Sequence, residues 1–131
     1  YSSRYSTANL ALKQTVKRRF RLTKSNDIKR VRQLGKSYAH PLIVLIALRN
    51  QRDTSRFAII AGRSTGNAVK RNRAKRWIRE AVRPLIPNIE PGWDIIIVAR
   101  RPITNANFQI CQSALNNLLN RAQLITDLYG N

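Results

Sequence analysis

Acidic residues are scarce in this sequence of 131 residues. Six Asp and Glu stand against 25 Lys and Arg, which gives a formal net charge of +19. The acids are scattered along the chain, so no two neighbouring carboxylates are available for general acid–base catalysis or for a two-metal nuclease site. This shortage disfavours an enzyme that cleaves phosphodiesters with its own side chains.

Cysteine is nearly absent, and long apolar runs are missing. The single cysteine, Cys111, excludes an internal disulfide and a thiolate zinc site, and it fits a reducing compartment, so we expect a cytoplasmic protein. The apolar runs, such as LIVLIAL at 42–48, are far shorter than the roughly 18 residues of a transmembrane helix. Residues 1–14 lack the apolar segment of a signal peptide.

The excess of basic residues is the strongest positive signal. A domain this cationic repels itself, and a polyanionic partner is the usual reason that such repulsion is retained. We therefore expect a nucleic-acid partner, with an acidic membrane surface or an acidic protein as alternatives. Residues 1–16 are expected to be a basic tail, a candidate for disorder, and residues 17–131 to form a single domain.

The spacing of apolar residues predicts three helices. The first ends before Gly35, which is a common helix terminator. The second spans about 68–85, where apolar residues recur every three or four positions, and prolines end it. The third carries an apolar stripe over 108–122. The predicted caps are Ser25 or Asn26 for the first helix and Thr104 or Asn105 for the third.

Three apolar segments, at 42–48, 56–61 and 93–99, are predicted to be strands. The polar linker 49–55 fits a hairpin turn between the first two, and a further short strand is possible near Arg63. The fold class is thus α+β, in the order α-β-β-(β)-α-β-α. Such a chain packs as one sheet with helices mainly on one face.

Residues 70–83 read KRNRAKRWIREAVR, in which seven of fourteen are Lys or Arg and one is an acid. On a helix, the basic residues lie opposite or beside an apolar stripe that includes Trp77, Ile78 and Val82. The alternatives are a merely solvated face and a membrane-surface helix. The almost single-signed charge argues against the first, and the apolar stripe, needed by the sheet, argues against the second. A phosphate backbone is the favoured partner.

Small and polar residues at 62–67 precede this helix, and a helix N-terminus can hold a phosphate. Gly66 could instead serve only the turn, and Asn67 only the cap. Arg100 and Arg101, which follow the third predicted strand, form a further basic cluster. They either extend a nucleic-acid surface or are simply solvated.

Several motifs together resemble the signature of the bacterial ribonuclease P protein component. They are Gly66-Asn67-Ala68-Val69, Arg71-Asn72-Arg73, Lys75-Arg76 and Arg79-Glu80, with further agreement at Arg19–Leu22, Asp27 and Asp94–Pro102. The resemblance covers roughly residues 18–121. It implies a fold similar to domain 2 of ribosomal protein S5, with a left-handed βαβ crossover.

The resemblance also implies a function. Proteins of this family bind a catalytic RNA, ribonuclease P RNA, and promote endonucleolytic removal of the 5′ leader from precursor tRNA. Hydrolysis occurs at Mg²⁺ held mainly by the RNA, so we expect no catalytic residue in this protein, which would be a monomer within the ribonucleoprotein and need no membrane. The alternatives are a ribosomal or other structured-RNA binding protein and a stand-alone metal-dependent nuclease.

Two sites follow from the resemblance. One site binds the RNA subunit and consists of Arg63, Asn67, Lys70, Arg71, Asn72, Arg73, Lys75, Arg76, Arg79 and Arg83. The resemblance also allows a metal ion bridged by RNA near Asn67. The other is a cleft between the first helix and the sheet that receives the precursor-tRNA leader: Arg21, Ile28, Arg32, Tyr38 and Ile46. Family members often have aromatic residues where Ile28, Arg32 and Ile46 stand. This departure replaces stacking by apolar contact, except that the Arg32 guanidinium can stack on a base.

Overall fold

Four strands form one mixed sheet in the computed structural model, which describes residues 20–125. The predicted tail at 1–16 therefore lies outside the described residues. The sheet order is β1-β2-β4-β3, with β2 antiparallel to both neighbours and β3 parallel to β4. The strands are β1 Lys36–Ala39, β2 Ile43–Arg49, β3 Arg56–Ile60 and β4 Trp93–Ala99. The two central strands are the most apolar segments, because a central strand is covered on both faces.

Within residues 20–125, three helices pack on this sheet: α1 Ser25–Leu34, α2 Ala68–Val82 and α3 Phe108–Arg121. Between these elements, 3₁₀ turns lie at Arg63–Thr65, Arg83–Asn88 and Arg101–Asn105. Among the described residues, no helix is both long enough and apolar enough to cross a bilayer.

The core has two layers because alternate residues of β4 point to opposite faces. Ile95 and Ile97 pack with α2 and α3, whereas Ile96 packs beneath α1 against Val31. Two of these three helices thus share one face, as predicted, and α1 covers the other together with Leu22.

The predicted hairpin between the first two apolar strands is wrong. β2 and β3 are consecutive in sequence, but β4 lies between them. The continuous apolar run of β4 is best buried with a strand on each side, and Asp94 on β4 binds both Asn50 and Arg56 from the flanking segments. The additional short strand is β1, not the segment near Arg63, which is a 3₁₀ turn. β1 reads KSYA and is mostly exposed at a sheet edge, so it carries little apolar signal.

Both predicted helix caps are wrong. The cap of α1 is Lys24, whose carbonyl accepts the Ile28 N–H without help from a side chain, and Ser25 and Asn26 lie inside the helix. The cap of α3 is Asn107, whose side chain accepts from the Ile110 N–H. Thr104 and Asn105 instead belong to the preceding 3₁₀ turn, which is fixed by the fully buried Ile103.

β3, α2 and β4 form a crossover between two neighbouring parallel strands. This crossover presents α2 against the sheet while leaving its other side to solvent. The left-handed sense that the resemblance implies for this crossover stays a prediction.

Gly35 joins α1 to β1 where the backbone passes close to the sheet. A Cβ at this position would lie 2.5 Å from the Val31 carbonyl oxygen and 2.8 Å from Cγ2 of Ile46. Gly35→Ala is therefore expected to lower the free energy of unfolding by about 1–3 kcal/mol, the usual cost of overpacking. Gly62→Ala is the matched control, since a Cβ there meets nothing within 4 Å. Equal urea midpoints for the two variants would contradict this close approach.

Candidate nucleic-acid interface

α2 buries its apolar stripe and exposes its basic residues, as predicted. Ala74, Ile78, Ala81 and Val82 are buried against the sheet and α3. The cations of α2 are exposed or half-buried: Lys70, Arg71, Arg73, Lys75, Arg76 and Arg79, followed by Arg83. Within residues 20–125, all ion pairs involve Arg30 or Arg56, so no α2 cation has an acid within 4.0 Å. The positive charge of α2 thus remains available to a polyanion.

Arg73 differs from the other α2 cations because it is turned toward the protein. Its guanidinium lies 5.3 Å from the centre of the Trp77 ring, and Nη2 donates a long hydrogen bond of 3.4 Å to the Thr104 carbonyl. Its Nε is buried without a partner among the described residues. Arg73 therefore joins α2 to the 3₁₀ turn that follows β4, which gives it a structural role that sequence spacing did not reveal.

The turn before α2 has structural explanations of its own. The Asn67 side chain accepts from the Lys70 N–H at 2.9 Å, so this residue caps the helix. Gly66 has φ of 149°, a conformation that favours glycine. A metal bridged by RNA near Asn67 stays a prediction.

The carboxyl ends of the parallel strands β3 and β4 bring further arginines together. Arg63 follows β3 and Arg101 follows β4, and the 3₁₀ turns that carry them pack against each other. The Thr65 hydroxyl donates to the Ala99 carbonyl at 3.3 Å across this junction. Arg101 is exposed and extends the basic surface of α2, so it is a candidate that the resemblance alone had not placed in either site.

The predicted leader cleft is only partly assembled. Ile46 is buried beneath α1, Ile28 is half-buried beside it, and Arg32 is exposed. Tyr38, however, lies on the opposite face of the sheet, which corrects the prediction that it shares the cleft. Its register partner is Leu45, and residues directly opposite each other on paired strands share a face.

The sequence analysis did not identify a row of aliphatic side chains on the face of the sheet that α1 covers. Val44, Val98 and Ile60 are register partners on three adjacent strands, and all three are half-buried at the side of the cluster beneath α1. They form an apolar surface beside Ile28. The available signal was that Val44 stands two residues from the buried Ile46, so that the two share a face of the strand. The continuous apolar run of the strand concealed this pattern.

An ion-pair cluster centred on the buried Asp94 and Arg56 fixes α1 to the sheet. Asp94 is fully buried and accepts hydrogen bonds from Arg56 at 2.7 and 2.9 Å and from Asn50 at 2.8 Å. Arg30 lies 3.4 Å from Asp94, and Asp27 lies 3.5 Å from Arg56. Burial alone would raise the pKa of Asp94, but the hydrogen bonds and charges of its partners outweigh it, so the pKa is lowered. Asp27 and Asp94, which are distant in sequence, thus lie in one cluster, where Arg30 and Arg56 neutralise their charges.

A groove of about 670 Å³ follows the outer edge of β3. One wall is the segment 20–23 with Ile28, the floor is β3, and the other wall is α2. Its lining residues are Phe20, Arg21, Leu22, Thr23, Ile28, Phe57, Ala58, Ile59, Ile60, Lys75, Arg79 and Val82. The groove therefore joins members of both predicted sites, which the sequence had kept apart.

Comparisons with known proteins agree with this architecture. The family described as Ribonuclease P matches residues 16–123. The "Ribonuclease P protein component" of Herpetosiphon aurantiacus is 40% identical over 107 residues, covering 82% of this chain and 87% of the relative. That of Clostridioides difficile is 36% identical over 104 residues, covering 79% and 91%.

Solved structures show the same fold. The RNase P protein of Staphylococcus aureus superimposes with a TM-score of 0.76 at 31% identity, covering 82% of this chain and 98% of that one. The RNase P protein of Thermotoga maritima gives a TM-score of 0.70 at 32% identity, covering 77% and 96%. The chain therefore belongs to the bacterial ribonuclease P protein family, whose members are subunits of the ribonuclease that processes tRNA.

Proposed function

We propose that this protein is the non-catalytic subunit of ribonuclease P, and that α2 with its preceding turn binds the RNA subunit. The observation that carries this proposal is the almost single-signed face of α2, whose cations have no acid within 4.0 Å in the described part of the chain. Unbalanced charge of this kind favours phosphate binding through counterion release. Arg63 and Arg101 continue the surface around the helix N-terminus.

Phosphodiester hydrolysis is assigned to Mg²⁺ held mainly by the RNA. Among the described residues, Asp27 and Asp94 are the acids that share a cluster, and Arg30 and Arg56 neutralise both. Carboxylates already paired in this way are poor ligands for a hard cation. We also propose a cytoplasmic protein that is a monomer within the ribonucleoprotein.

The precursor-tRNA leader is assigned to the α1 face of the sheet. Ile28 and the row of Val44, Val98 and Ile60 offer apolar contact, and Arg21 and Arg32 offer charge. Aliphatic side chains lack the planar surface on which bases stack, a contact worth about 1–3 kcal/mol per base. We therefore expect weak preference for particular leader bases.

Reconstitution tests the proposed function. Added to a cognate ribonuclease P RNA at low Mg²⁺, the protein is expected to raise the rate of precursor-tRNA cleavage, because its cations offset repulsion between RNA and substrate. The measurement is single-turnover cleavage with and without protein. Protein scrupulously free of RNA serves as the control and is expected to cleave nothing. An unchanged rate with folded protein and cognate RNA would reject the proposal, and cleavage by RNA-free protein would favour a stand-alone nuclease.

A further inference from the structure

The groove along β3 has the chemical character of a nucleotide site. No acid is among its lining residues, while Arg21, Lys75 and Arg79 bring positive charge from both walls. In the described range 20–125, no acid lies within 4.0 Å of these three cations. The floor is apolar and includes Phe57 and Ile59. Such a groove suits a ligand that combines negative charge with an apolar part.

The walls of the groove are held in place by the fold. Segment 20–22 is tied to the edge strand β3 by a parallel bridge between Arg21 and Phe57 and by a hydrogen bond of 2.7 Å from the Leu22 N–H to the Phe57 carbonyl. The opposite wall is fixed because Ile78 and Val82 of α2 are buried in the core. A preformed site of this kind loses little conformational entropy when a ligand binds.

The groove opens onto the basic surface of α2. Arg71, Lys75 and Arg79 recur at four-residue spacing, so they form one row along the helix. The first lies on the proposed RNA-binding face, and the other two line the groove. The volume of about 670 Å³ lies in the range of small-ligand pockets and is far too small for a double helix. Unpaired bases splayed out of a fold are the elements of RNA that proteins read in pockets.

We propose that this groove holds a single unpaired nucleotide of the RNA subunit, with its phosphate between Lys75 and Arg79 and its base on the apolar floor. This inference rests on the proposed function and specifies one contact within it. Arg21, Ile28 and Ile60 line the groove and also belong to the surface assigned to the leader, so the two sites adjoin there. The nucleotide is placed at the α2 wall, because the row of Arg71, Lys75 and Arg79 connects that wall to the surface assigned to the RNA subunit.

A photo-crosslinker attached to Thr23→Cys tests the proposal. Thr23 is exposed and lines the groove. The native Cys111 is fully buried, and burial raises the pKa of its thiol to about 11, so the introduced thiol is the reactive one at neutral pH. Ser113→Cys, exposed on α3, is the matched control. Each labelled protein is assembled with the cognate RNA and precursor tRNA before irradiation.

The label at position 23 is expected to crosslink to one short stretch of the RNA subunit, at higher yield than the label at 113. Removing the base of that nucleotide should weaken protein binding about tenfold, because the apolar contact of the base with the floor of the groove is lost. Crosslinks only to the leader, a yield equal to the control, or unchanged affinity of the abasic RNA would each overturn the inference. If any of these occurs while the labelled protein still stimulates cleavage at low Mg²⁺, the proposed function stands and the nucleotide site does not.

Discussion

Replacing Asp94 with alanine is expected to lower the free energy of unfolding by about 3–5 kcal/mol, the usual cost of removing one partner of a buried ion pair. The change leaves Arg56, which is nearly buried, without its closest partner, and it also breaks the bond from Asn50. Asp27, at 3.5 Å from Arg56, compensates only in part. Equilibrium unfolding in urea measures the loss.

Two further variants separate this cause from others. Asp53→Asn removes an exposed acid with no ion pair among the described residues and should change stability by less than about 0.5 kcal/mol. Asp94→Leu combined with Arg56→Met removes both charges and should cost less than Asp94→Ala alone, because no buried charge is left unpaired. Equal losses for the single and double variants would show that packing, and not the ion pair, dominates.

The same carboxylate gives stability a defined pH dependence. The pKa of Asp94 is lowered from 3.8 in the folded protein, so the unfolded chain takes up its proton first as the pH falls. The contribution of Asp94 is therefore fully present above about pH 4 and is lost as the pH falls through the folded pKa. The difference in stability between the native chain and Asp94→Ala should shrink below pH 4. A constant difference down to the acid limit would contradict a lowered pKa.

Arg71→Ala combined with Arg76→Ala is expected to weaken binding of the RNA subunit by roughly 100-fold or more. Each hydrogen bond to a charged group contributes about 1.5–3 kcal/mol. The slope of log affinity against log salt should also fall by about 1.4–1.8, since each lost phosphate contact removes about 0.7–0.9. Filter binding over a range of salt concentrations gives both quantities.

Charge-matched variants make this test specific to α2. Arg49→Ala combined with Arg52→Ala removes the same charge from exposed residues away from the helix, and the slope should hardly change. Arg73→Ala should mainly reduce stability, because its guanidinium lies over Trp77 and donates to Thr104. If the α2 pair and the control pair behave alike, binding depends on net charge and not on this helix.

Much of the local structure was predictable from the sequence. The central strands follow from their apolar runs, and the position of α2 follows from apolar spacing together with the proline residues after it. The exposure of the basic face follows as well, because Lys and Arg cannot be buried without partners while the apolar stripe of α2 is drawn to the sheet. The family followed from the spacing of motifs around the Arg-Asn-Arg segment.

What the sequence by itself determined is therefore the three helices, the three apolar strands and the cationic face of α2, since each of these follows from the pattern of apolar and charged residues along one segment. Tertiary structure alone decided the placement of β4 between β2 and β3, because strand order depends on which pairing buries both faces of the most apolar strand. It also placed Tyr38 on the face opposite the cleft, since the register of β1 against β2 decides which side chains of β1 point to which face of the sheet. The Asp27–Asp94 cluster and the groove along β3 each require side chains from distant segments, and no local spacing brings those together.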